Sequence, residues 1–359
     1  MSKQQQINYG TGNESGINVA VLGATGLVGQ VFVHMLSAHK LFNLALIASS
    51  DRRAGKLYTD EVQWSLPFPA PQEIKGRYLD RIDINRLKEA GVKIVFSALP
   101  TDAAKTIEPE LRDCGFYVFS NASALRYDAD VPILIPEANP EALNDIEAQG
   151  FPDKGFVVTN ANCSTTGLAT ALAPLRPFGI KEVFVSTYQS ISGAGHPGLP
   201  ALDILNNAIP FIKNEEEKMV VEIKKILNLE ADIFPHCVRI PVPFGHLETV
   251  WLTFDSPVAD EEIKEAWDSF GNGDIQNRCP SFPAKPVHFL EDEAFPQPGI
   301  SFWGSPPGME VFTGRLRNTS GKTGFTLLVN NLVKGAAGGS IQNAELFIDS
   351  FGACGRNII

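Results

Sequence analysis

The sequence lacks any apolar run long enough to span a membrane. Hydrophobic residues make up 44% of the 359 residues, yet Asp, Lys or Gly interrupts every apolar stretch before the roughly 18 residues that a membrane helix needs. The N-terminal stretch MSKQQQINYGTGNESG is polar and has no apolar signal-peptide core. We therefore expect a cytoplasmic protein with a flexible tail at residues 1–15 and no membrane partner.

Cysteine and positive charge are also in short supply. The chain has 30 Lys and Arg against 41 Asp and Glu, and the formal charge of −11 argues against nucleic acid as its main partner. The five cysteines are odd in number and show no C-x-x-C spacing, which fits neither a disulfide framework nor a zinc site. They are Cys114, Cys163, Cys237, Cys279 and Cys354. We expect no metal site, mostly inert thiols, and a small-molecule substrate.

Short β-rich segments separated by helical patterns occupy the first half of the chain, at 17–22, 43–49, 93–98, 115–120, 131–135 and 155–159. This alternation is typical of an α/β fold with a parallel, doubly wound sheet of the Rossmann type. Later segments are longer and alternate apolar with polar residues, at 182–190, 247–254, 310–316 and 323–330. They predict an α+β domain with a mixed, largely antiparallel sheet and helices on one face.

These patterns divide the chain into two domains. We predict a dinucleotide-binding domain at 16–140 and a second domain at 141–334. The last segment, 335–359, has a helical period and is expected to complete the first domain by packing back on it.

A glycine turn joins the first predicted strand to the first predicted helix. It has the spacing G-x-x-G-x-x-G, a variant of the dinucleotide fingerprint, and consists of Gly23, Ala24, Thr25, Gly26, Leu27, Val28 and Gly29. Glycines permit the tight turn and let a pyrophosphate approach the helix N–H groups. An ordinary strand-to-helix turn is the alternative interpretation.

The charged loop after the second strand bears on the choice of cofactor. A free ribose 2′-hydroxyl is normally met there by an acidic residue, and a 2′-phosphate by basic residues. The loop contains Ser50, Asp51, Arg52, Arg53 and Lys56. Its three cations favour NADP, whereas Asp51 leaves NAD open, and a solvated loop without a ligand is the alternative.

Cys163 stands between a predicted strand and an Ala- and Leu-rich helix. A thiol at a helix N-terminus feels the positive end of the helix dipole, which lowers its pKa and favours the nucleophilic thiolate. A lone Cys is otherwise often a small buried apolar residue. A nucleophile needs a proton-transfer partner, and of the six histidines His246, which opens a predicted strand, has a slight advantage over His196.

Seven motifs follow one another along residues 17 to 346: GATGLVG, SNASALR, NANCSTTG, TYQSISGAG, NEEEK, RIPVPFGH and NNLVKGAAGG. In that order they resemble the motifs of the aspartate-β-semialdehyde dehydrogenase family, in its archaeal and fungal branch. The resemblance implies NADP-dependent, reversible reduction of L-aspartyl 4-phosphate to L-aspartate 4-semialdehyde and phosphate, in lysine, threonine and methionine biosynthesis. It also implies a homodimer or homotetramer assembled through the second domain.

The resemblance implies catalytic roles as well. Cys163 would be the nucleophile that forms a thioester, and His246 would be the acid/base. Gln189 would orient the substrate near the thiol. Asn121 and Asn331 would help to line the phosphate and nicotinamide sites respectively.

Four charged residues would recognise the substrate according to the same resemblance. Arg239 would hold the substrate carboxylate in a bidentate fork, and Glu215 would meet the amino group. Lys218 and Arg126 would hold the phosphate. A zwitterionic acyl phosphate needs this set of charges, although surface ion pairs and a solvated helix start are the ordinary alternatives.

Other functions stay open. An acyl-CoA reductase of the malonyl-CoA type shares the scaffold and the Cys/His pair but does not need an amine-binding residue such as Glu215. N-Acetylglutamyl-phosphate reductases are also related. A non-catalytic NADP-binding regulator is the alternative of another class, and the joint presence of Cys163, His246 and Arg239 counts against it.

Overall fold

The computed structural model describes residues 16–271 and 273–352, and two six-stranded sheets organise them. The first sheet is entirely parallel, with the strand order β3-β2-β1-β4-β5-β6. Its strands are β1 (Ile17–Leu22), β2 (Phe42–Ser49), β3 (Asp80–Arg81), β4 (Ile94–Ser97), β5 (Tyr117–Ser120) and β6 (Phe156–Thr159). This order confirms the doubly wound prediction, and it opens a crevice at the carboxyl ends of β1 and β4, where the winding reverses.

Helices cover both faces of this sheet, which is why β4, β5 and β6 are buried along their whole length. The helices from the first part of the chain are α1 (Leu27–Leu36), α2 (Tyr58–Glu61), α3 (Ile84–Glu89) and α4 (Thr101–Asp113). The late helix α9 (Gly338–Phe347) joins them, and the Phe347 ring centroid lies 4.9 Å from that of Phe156. The described part of the last segment thus packs on the first sheet, and the completion of the first domain by residues 335–359 stays a prediction. The predicted tail, Cys354 and residues 353–359 lie outside the described residues.

The second sheet is mixed, with the strand order β10-β11-β12-β9-β7-β8. Its strands are β7 (Ile180–Gln189), β8 (Asp232–Arg239), β9 (His246–Phe254), β10 (Val287–Leu290), β11 (Val311–Thr319) and β12 (Lys322–Val329). The central pairs are antiparallel, whereas β7–β8 and β10–β11 are parallel. The prediction of a mixed, largely antiparallel sheet is confirmed.

One face of the second sheet shares a core with three helices. They are α5 (Cys163–Leu172), α7 (Glu215–Leu227) and α8 (Asp260–Ser269), while α6 (Ala201–Ile204) is a single turn. Trp267 of α8 is fully buried and donates its indole N–H to the carbonyl of Ala171 at the end of α5. The helices therefore lie on one side of the sheet, as the alternating pattern predicts.

The strand predicted at 131–135 is wrong. In this segment only Ile133 makes a bridge, to Thr159, because Pro132 has no backbone N–H to donate. Conversely, β3, β8 and β10 were not predicted. All three lie at sheet edges, and most of their side chains are exposed or partly buried, so their apolar pattern is weaker than that of the fully buried edge strand β6.

The boundary predicted at residue 140 stays a prediction, although β6 places the last strand of the first sheet beyond it. Within the described residues, no helix combines the length and apolar character that crossing a membrane requires.

Candidate active site

The glycines of the turn after β1 have different structural reasons. Gly23 has a φ of +78°, and a Cβ there would lie 2.4 Å from the carbonyl oxygen of Ala98. A Cβ on Gly29 would lie 2.2 Å from the Gly23 carbonyl oxygen, so only glycine lets α1 pack this closely. At Gly26, the N-cap of α1, a Cβ would meet only that same oxygen, at 3.7 Å. A side chain at Gly26 would therefore occupy the space in front of the helix N-terminus.

A groove of about 840 Å³ runs along the carboxyl ends of β1, β2 and β4. The predicted residues that line it are Gly23, Thr25, Gly26, Ser50, Asp51 and Arg53. Arg53 is fixed there because its Nη1 donates to Thr25 Oγ1 at 2.6 Å. Leu99 and Pro100, which follow β4, also line the groove and were not predicted.

Among the described residues, three of the predicted cofactor site line neither this groove nor the cavity beside it. The Ala24 side chain is fully buried in the core, and the Tyr58 hydroxyl donates to its carbonyl oxygen. Arg52 is exposed, and Lys56 is paired with Glu61 at 2.9 Å. The basic loop therefore presents one cation, Arg53, directly to the groove.

A second cavity of about 590 Å³ adjoins the groove, since Gly26 and the 98–100 segment line both. It extends between the two sheets towards α5. The predicted residues on its wall are Leu27, Val28, Asn121, Arg126, Cys163, Lys218 and Asn331. We call this cavity the catalytic cleft.

Cys163 is the first residue of α5, as predicted, and local contacts fix its backbone. The Oδ1 of the N-cap residue Asn162 accepts from the N–H groups of Ser164 and Thr165, at 3.0 and 3.3 Å. On the other side Gly335 packs so tightly that a Cβ would lie 2.8 Å from Cys163 Cβ. The thiol therefore sits at a rigid helix start.

His246 contacts the thiol, with Nε2 lying 3.1 Å from Cys163 Sγ. The backbone N–H of Ser190 donates to Nδ1 at 3.1 Å, so Nδ1 must be the acceptor and the neutral ring carries its proton on Nε2. His196 also lines the cleft but is exposed. Of the two histidines that the sequence left open, His246 is the one in contact with sulfur.

The expected lowering of the thiol pKa is wrong for this structure. Burial raises the pKa of Cys163 to about 12, and the Glu215 carboxylate raises it further, whereas Arg239 and the Ser164 N–H oppose the shift without overcoming it. Burial, followed by the charge of Arg239, lowers the pKa of His246 to about 3. The pair is therefore a neutral thiol beside a neutral imidazole.

Arg239 and Glu215 both lie close enough to the thiol for their charges to act on its pKa. The Arg239 side chain is buried, and its Nη1 donates to the Ser190 carbonyl at 2.6 Å. Gly193 makes room for it, since a Cβ there would be 2.5 Å from Nη1. Glu215 Oε2 accepts from Asn162 Nδ2 at 2.7 Å and from Gln189 Nε2 at 3.4 Å. Gln189 thus connects Glu215 to the second sheet.

The two residues predicted to hold phosphate reach the cleft from different elements. Lys218 Nζ lies 3.2 Å from Glu215 Oε1, one turn earlier on α7. Arg126 is buried, its Nη1 donates to Glu222 Oε1 at 2.9 Å, and its buried Nε has no partner. Glu222 was not predicted, although its spacing places it on the same face of α7 as Glu215.

The two asparagines connect backbone segments around the cleft. Asn331 Oδ1 accepts from the Gly245 N–H at 3.0 Å and from the Ser190 hydroxyl at 3.1 Å, so it braces the residues around His246. Asn121 Nδ2 donates to the Ser340 hydroxyl at 3.0 Å, which ties the cleft to α9. Both also line the cleft, and their places at the phosphate and nicotinamide sites stay predictions.

A Rossmann-type groove continuous with a polar cleft defines a nicotinamide-dependent oxidoreductase. The chain belongs to the semialdehyde dehydrogenase family. The family model described as "Semialdehyde dehydrogenase, NAD binding domain" matches residues 18–146. The model described as "Semialdehyde dehydrogenase, dimerisation domain" matches residues 172–334.

Individual relatives narrow the comparison. An aspartate-semialdehyde dehydrogenase of Archaeoglobus fulgidus is 42% identical, covering 92% of this chain and 98% of its own. A malonyl CoA reductase (NADP) of Metallosphaera sedula is 35% identical over 93% and 97%. The crystal structure of the Candida albicans aspartate semialdehyde dehydrogenase with NADP superposes with a TM-score of 0.82 at 31% identity, over 93% and 98% of the two chains. These similarities agree with the resemblance drawn from the seven motifs.

Proposed function

We propose that the chain is an NADP-dependent aspartate-semialdehyde dehydrogenase, which reversibly reduces L-aspartyl 4-phosphate to L-aspartate 4-semialdehyde and phosphate. The observation that carries the proposal is the Cys163–His246 contact of 3.1 Å beside both Arg239 and Glu215. A nucleophile, a proton donor and two opposite charges thus converge on one small space. The reaction belongs to the biosynthesis of lysine, threonine and methionine.

The charges around the thiol match a zwitterionic substrate. Arg239 has the planar guanidinium that binds a carboxylate in a fork, and its burial strengthens that interaction. Glu215 offers a carboxylate to an ammonium group. An acyl-CoA substrate without an amine has no ammonium group for Glu215 to bind. The amino acid derivative is therefore favoured over the reaction named for the Metallosphaera relative.

The phosphate of the substrate has two cations available. Arg126 lines the cleft, and its Nη2 makes only a long contact with the Asn121 carbonyl, at 3.4 Å, so the guanidinium has a donor for an anion there. Lys218 adds a second positive charge on the same wall. We assign phosphate binding to this pair.

The cofactor fits the groove that adjoins the cleft. Gly26 leaves the N-terminus of α1 open to a pyrophosphate, and the Thr25 hydroxyl, which Arg53 contacts, lies beside it. Arg53 and Ser50 would hold the ribose 2′-phosphate of NADP. When bound, NADPH supplies the hydride that reduces the thioester.

The chain's own residues carry the remaining chemistry. Cys163 sulfur attacks the acyl carbon, the bond from that carbon to the phosphate oxygen breaks, and the thiol proton leaves with the phosphate. N–H groups at the start of α5 stabilise the oxyanion, each by on the order of 3 kcal/mol. His246 presents Nε2–H to the sulfur. Collapse of the thiohemiacetal to aldehyde releases the Cys163 thiolate, which this N–H stabilises, and the one proton that the overall reaction consumes is taken up from solvent through His246 to restore the thiol.

The outer face of the second sheet supports a proposal for how copies of the chain assemble. Phe184 and Phe234 stack with centroids 4.8 Å apart on the outer face of β7 and β8, where both are exposed. Exposed aromatic pairs of this kind mark protein interfaces. We propose that this face forms a homodimer, or a homotetramer built from two dimers. We propose the cytoplasm as the site of action, where the thiol stays reduced.

The direct test is a substrate comparison. The purified chain is assayed for reduction of NADP with aspartate semialdehyde, with and without phosphate, and in parallel for oxidation of NADPH with malonyl-CoA. We expect phosphate-dependent reduction of NADP and no turnover of malonyl-CoA. Turnover of malonyl-CoA without phosphate-dependent aldehyde oxidation contradicts the proposal.

A further inference from the structure

Glu222 is a fully buried carboxylate that the catalytic scheme above does not use. It lies on α7 two helical turns after Glu215, so both side chains project from the same face of the helix. A buried charge is destabilising unless it is paired and hydrogen-bonded. The partners of Glu222 therefore indicate why it is there.

The two oxygens of Glu222 bind two different segments of the cleft wall. Oε1 accepts from Arg126 Nη1 at 2.9 Å and from the Tyr127 hydroxyl at 3.0 Å. Oε2 accepts from the backbone N–H of Asn162 at 2.6 Å. One carboxylate thus joins the phosphate-site arginine to the residue immediately before Cys163.

The contact with Arg126 orients its guanidinium. Glu222 occupies Nη1, Nη2 reaches only the Asn121 carbonyl at 3.4 Å, and Nε is buried without a partner. Because Arg126 lines the cleft, Nη2, whose contact with the Asn121 carbonyl is long, is the donor that an anion there would meet. Without Glu222 the same guanidinium would lose its anchor.

The contact of the second Glu222 oxygen with Asn162 fixes the backbone just before Cys163. Asn162 caps α5 and also donates its side-chain N–H to Glu215. Without Glu222, Asn162 keeps its cap of α5 and its contact with Glu215, so we expect the nucleophile to stay in place, whereas the distance between Cys163 and Arg126 depends on Glu222. That distance matters most when phosphate must reach the acyl carbon on the sulfur.

We propose that Glu222 is a positioning residue for phosphate, which holds Arg126 and the Asn162 backbone so that phosphate can attack the Cys163 thioester. This inference rests on the proposed function. It predicts that loss of the Glu222 charge slows the phosphate step selectively. Formation of the thioester from aldehyde and NADP, which needs no phosphate, is spared.

The test separates these two steps. Rapid mixing of aspartate semialdehyde and NADP with the enzyme, without phosphate, gives a burst of NADPH that reports thioester formation. Steady-state turnover against phosphate concentration gives the KM for phosphate. For Glu222→Gln we expect a burst rate within about threefold of the unmodified enzyme and a KM for phosphate at least tenfold higher, because an amide leaves one donor facing another.

Matched variants give the controls. Glu217→Gln, an exposed glutamate on the same helix, is expected to change neither step. Arg126→Gln is expected to raise the KM for phosphate, and adding Glu222→Gln to it should raise that KM by less than twofold more. If Glu222→Gln does not fold, Glu222→Asp retains the charge but cannot reach both partners. We expect it to raise the KM for phosphate about threefold while sparing the burst.

Two results overturn the inference: an equal loss of the burst and of the phosphate step, or an unchanged KM for phosphate, in whichever Glu222 variant folds. Full additivity with Arg126→Gln also contradicts it. Failure of the proposed function is distinguishable, because the unmodified enzyme itself would then show no phosphate-dependent turnover.

Discussion

The cofactor groove and the catalytic cleft adjoin each other but are built differently. The groove is formed mainly by backbone atoms and glycines of one turn, since the space in front of α1 depends on Gly23, Gly26 and Gly29. In the cleft, side chains converge from α5, α7, β7, β8, β9 and the segment after β12. Most of these side chains are buried and hydrogen-bonded to one another.

This difference affects how the two regions respond to mutation. A backbone site is insensitive to most neighbouring side chains, because its donors are peptide groups. In a network of buried charges, each residue that moves leaves a partner unsatisfied. Single changes in the cleft should therefore have larger and more selective effects than single changes of side chains in the groove.

Among variants that retain Cys163, the largest effect is expected from Gly193→Ala. The new Cβ would lie 2.5 Å from Arg239 Nη1 and 3.2 Å from His246 Cε1, so at least one of the two must move. We expect kcat/KM for aspartate semialdehyde to fall on the order of 100-fold, with the Kd for NADP changed less than twofold. Gly299→Ala, where a Cβ meets nothing within 4 Å, is the control. Near-normal turnover in Gly193→Ala would show that Arg239 is not positioned as described.

Next in size is Glu215→Gln. Removing the partner of a charged group costs about 2–5 kcal/mol, so kcat/KM for aspartate semialdehyde should fall roughly 30-fold or more. Succinate semialdehyde, which has no amine, should be affected far less. Arg239→Lys should impair both substrates, because both have the carboxylate. Equal losses for the two aldehydes in Glu215→Gln would mean that the residue is structural and would favour the acyl-CoA alternative.

A smaller, graded effect is expected in the rate at which the Cys163 thiol is alkylated as the pH is raised. Because the pKa of Cys163 is raised to about 12, its thiolate fraction, and with it the rate of alkylation by iodoacetamide, should increase about tenfold per pH unit from neutral pH upwards. Mass spectrometry of the Cys163 peptide separates this rate from that of the exposed Cys114. Glu215→Gln should speed alkylation, since the Glu215 carboxylate raises that pKa. A rate that levels off near neutral pH indicates a thiolate–imidazolium pair instead.

The smallest effect is expected in the groove and comes from comparing two neighbouring arginines. Arg53 lines the groove and is held by Thr25, whereas Arg52 is exposed and outside it. Arg53→Ala should weaken NADP about fivefold, or about 1 kcal/mol for a partly exposed ion pair, and leave NAD unchanged. Arg52→Ala should change neither Kd by more than twofold. Calorimetric titration with both cofactors measures these Kd values. A larger loss of NADP affinity in Arg52→Ala than in Arg53→Ala would show that Arg52, and not Arg53, binds the 2′-phosphate.

The same difference governs what could be predicted from the sequence. The glycine turn is a contiguous signal, and the buried parallel strands read as apolar runs, so the first sheet and its groove were largely predictable. Strands β3, β8 and β10 were not, because most of their side chains are exposed or partly buried and leave a weak apolar pattern.

Within the cleft, motifs placed Cys163 and His246 but could not show their state. The position at a helix start suggests a lowered pKa for the thiol. Burial, which depends on residues distant in sequence, raises that pKa instead. Glu222 was not predicted as a site residue for a similar reason. A lone Glu in a helical run resembles a solvated residue until Arg126 and Asn162, which are distant in sequence, meet it.

The most direct test of the account is to observe the acyl group on Cys163. The enzyme is mixed with aspartate semialdehyde and NADP in the absence of phosphate, quenched in acid, digested and measured by mass spectrometry, with Cys163→Ala as the matched control. We expect an aspartyl group on the peptide that contains Cys163, its release when phosphate is added before the quench, and no adduct or turnover in Cys163→Ala, which still binds NADP. Turnover by Cys163→Ala, or an acyl group on another residue, would contradict the thioester mechanism.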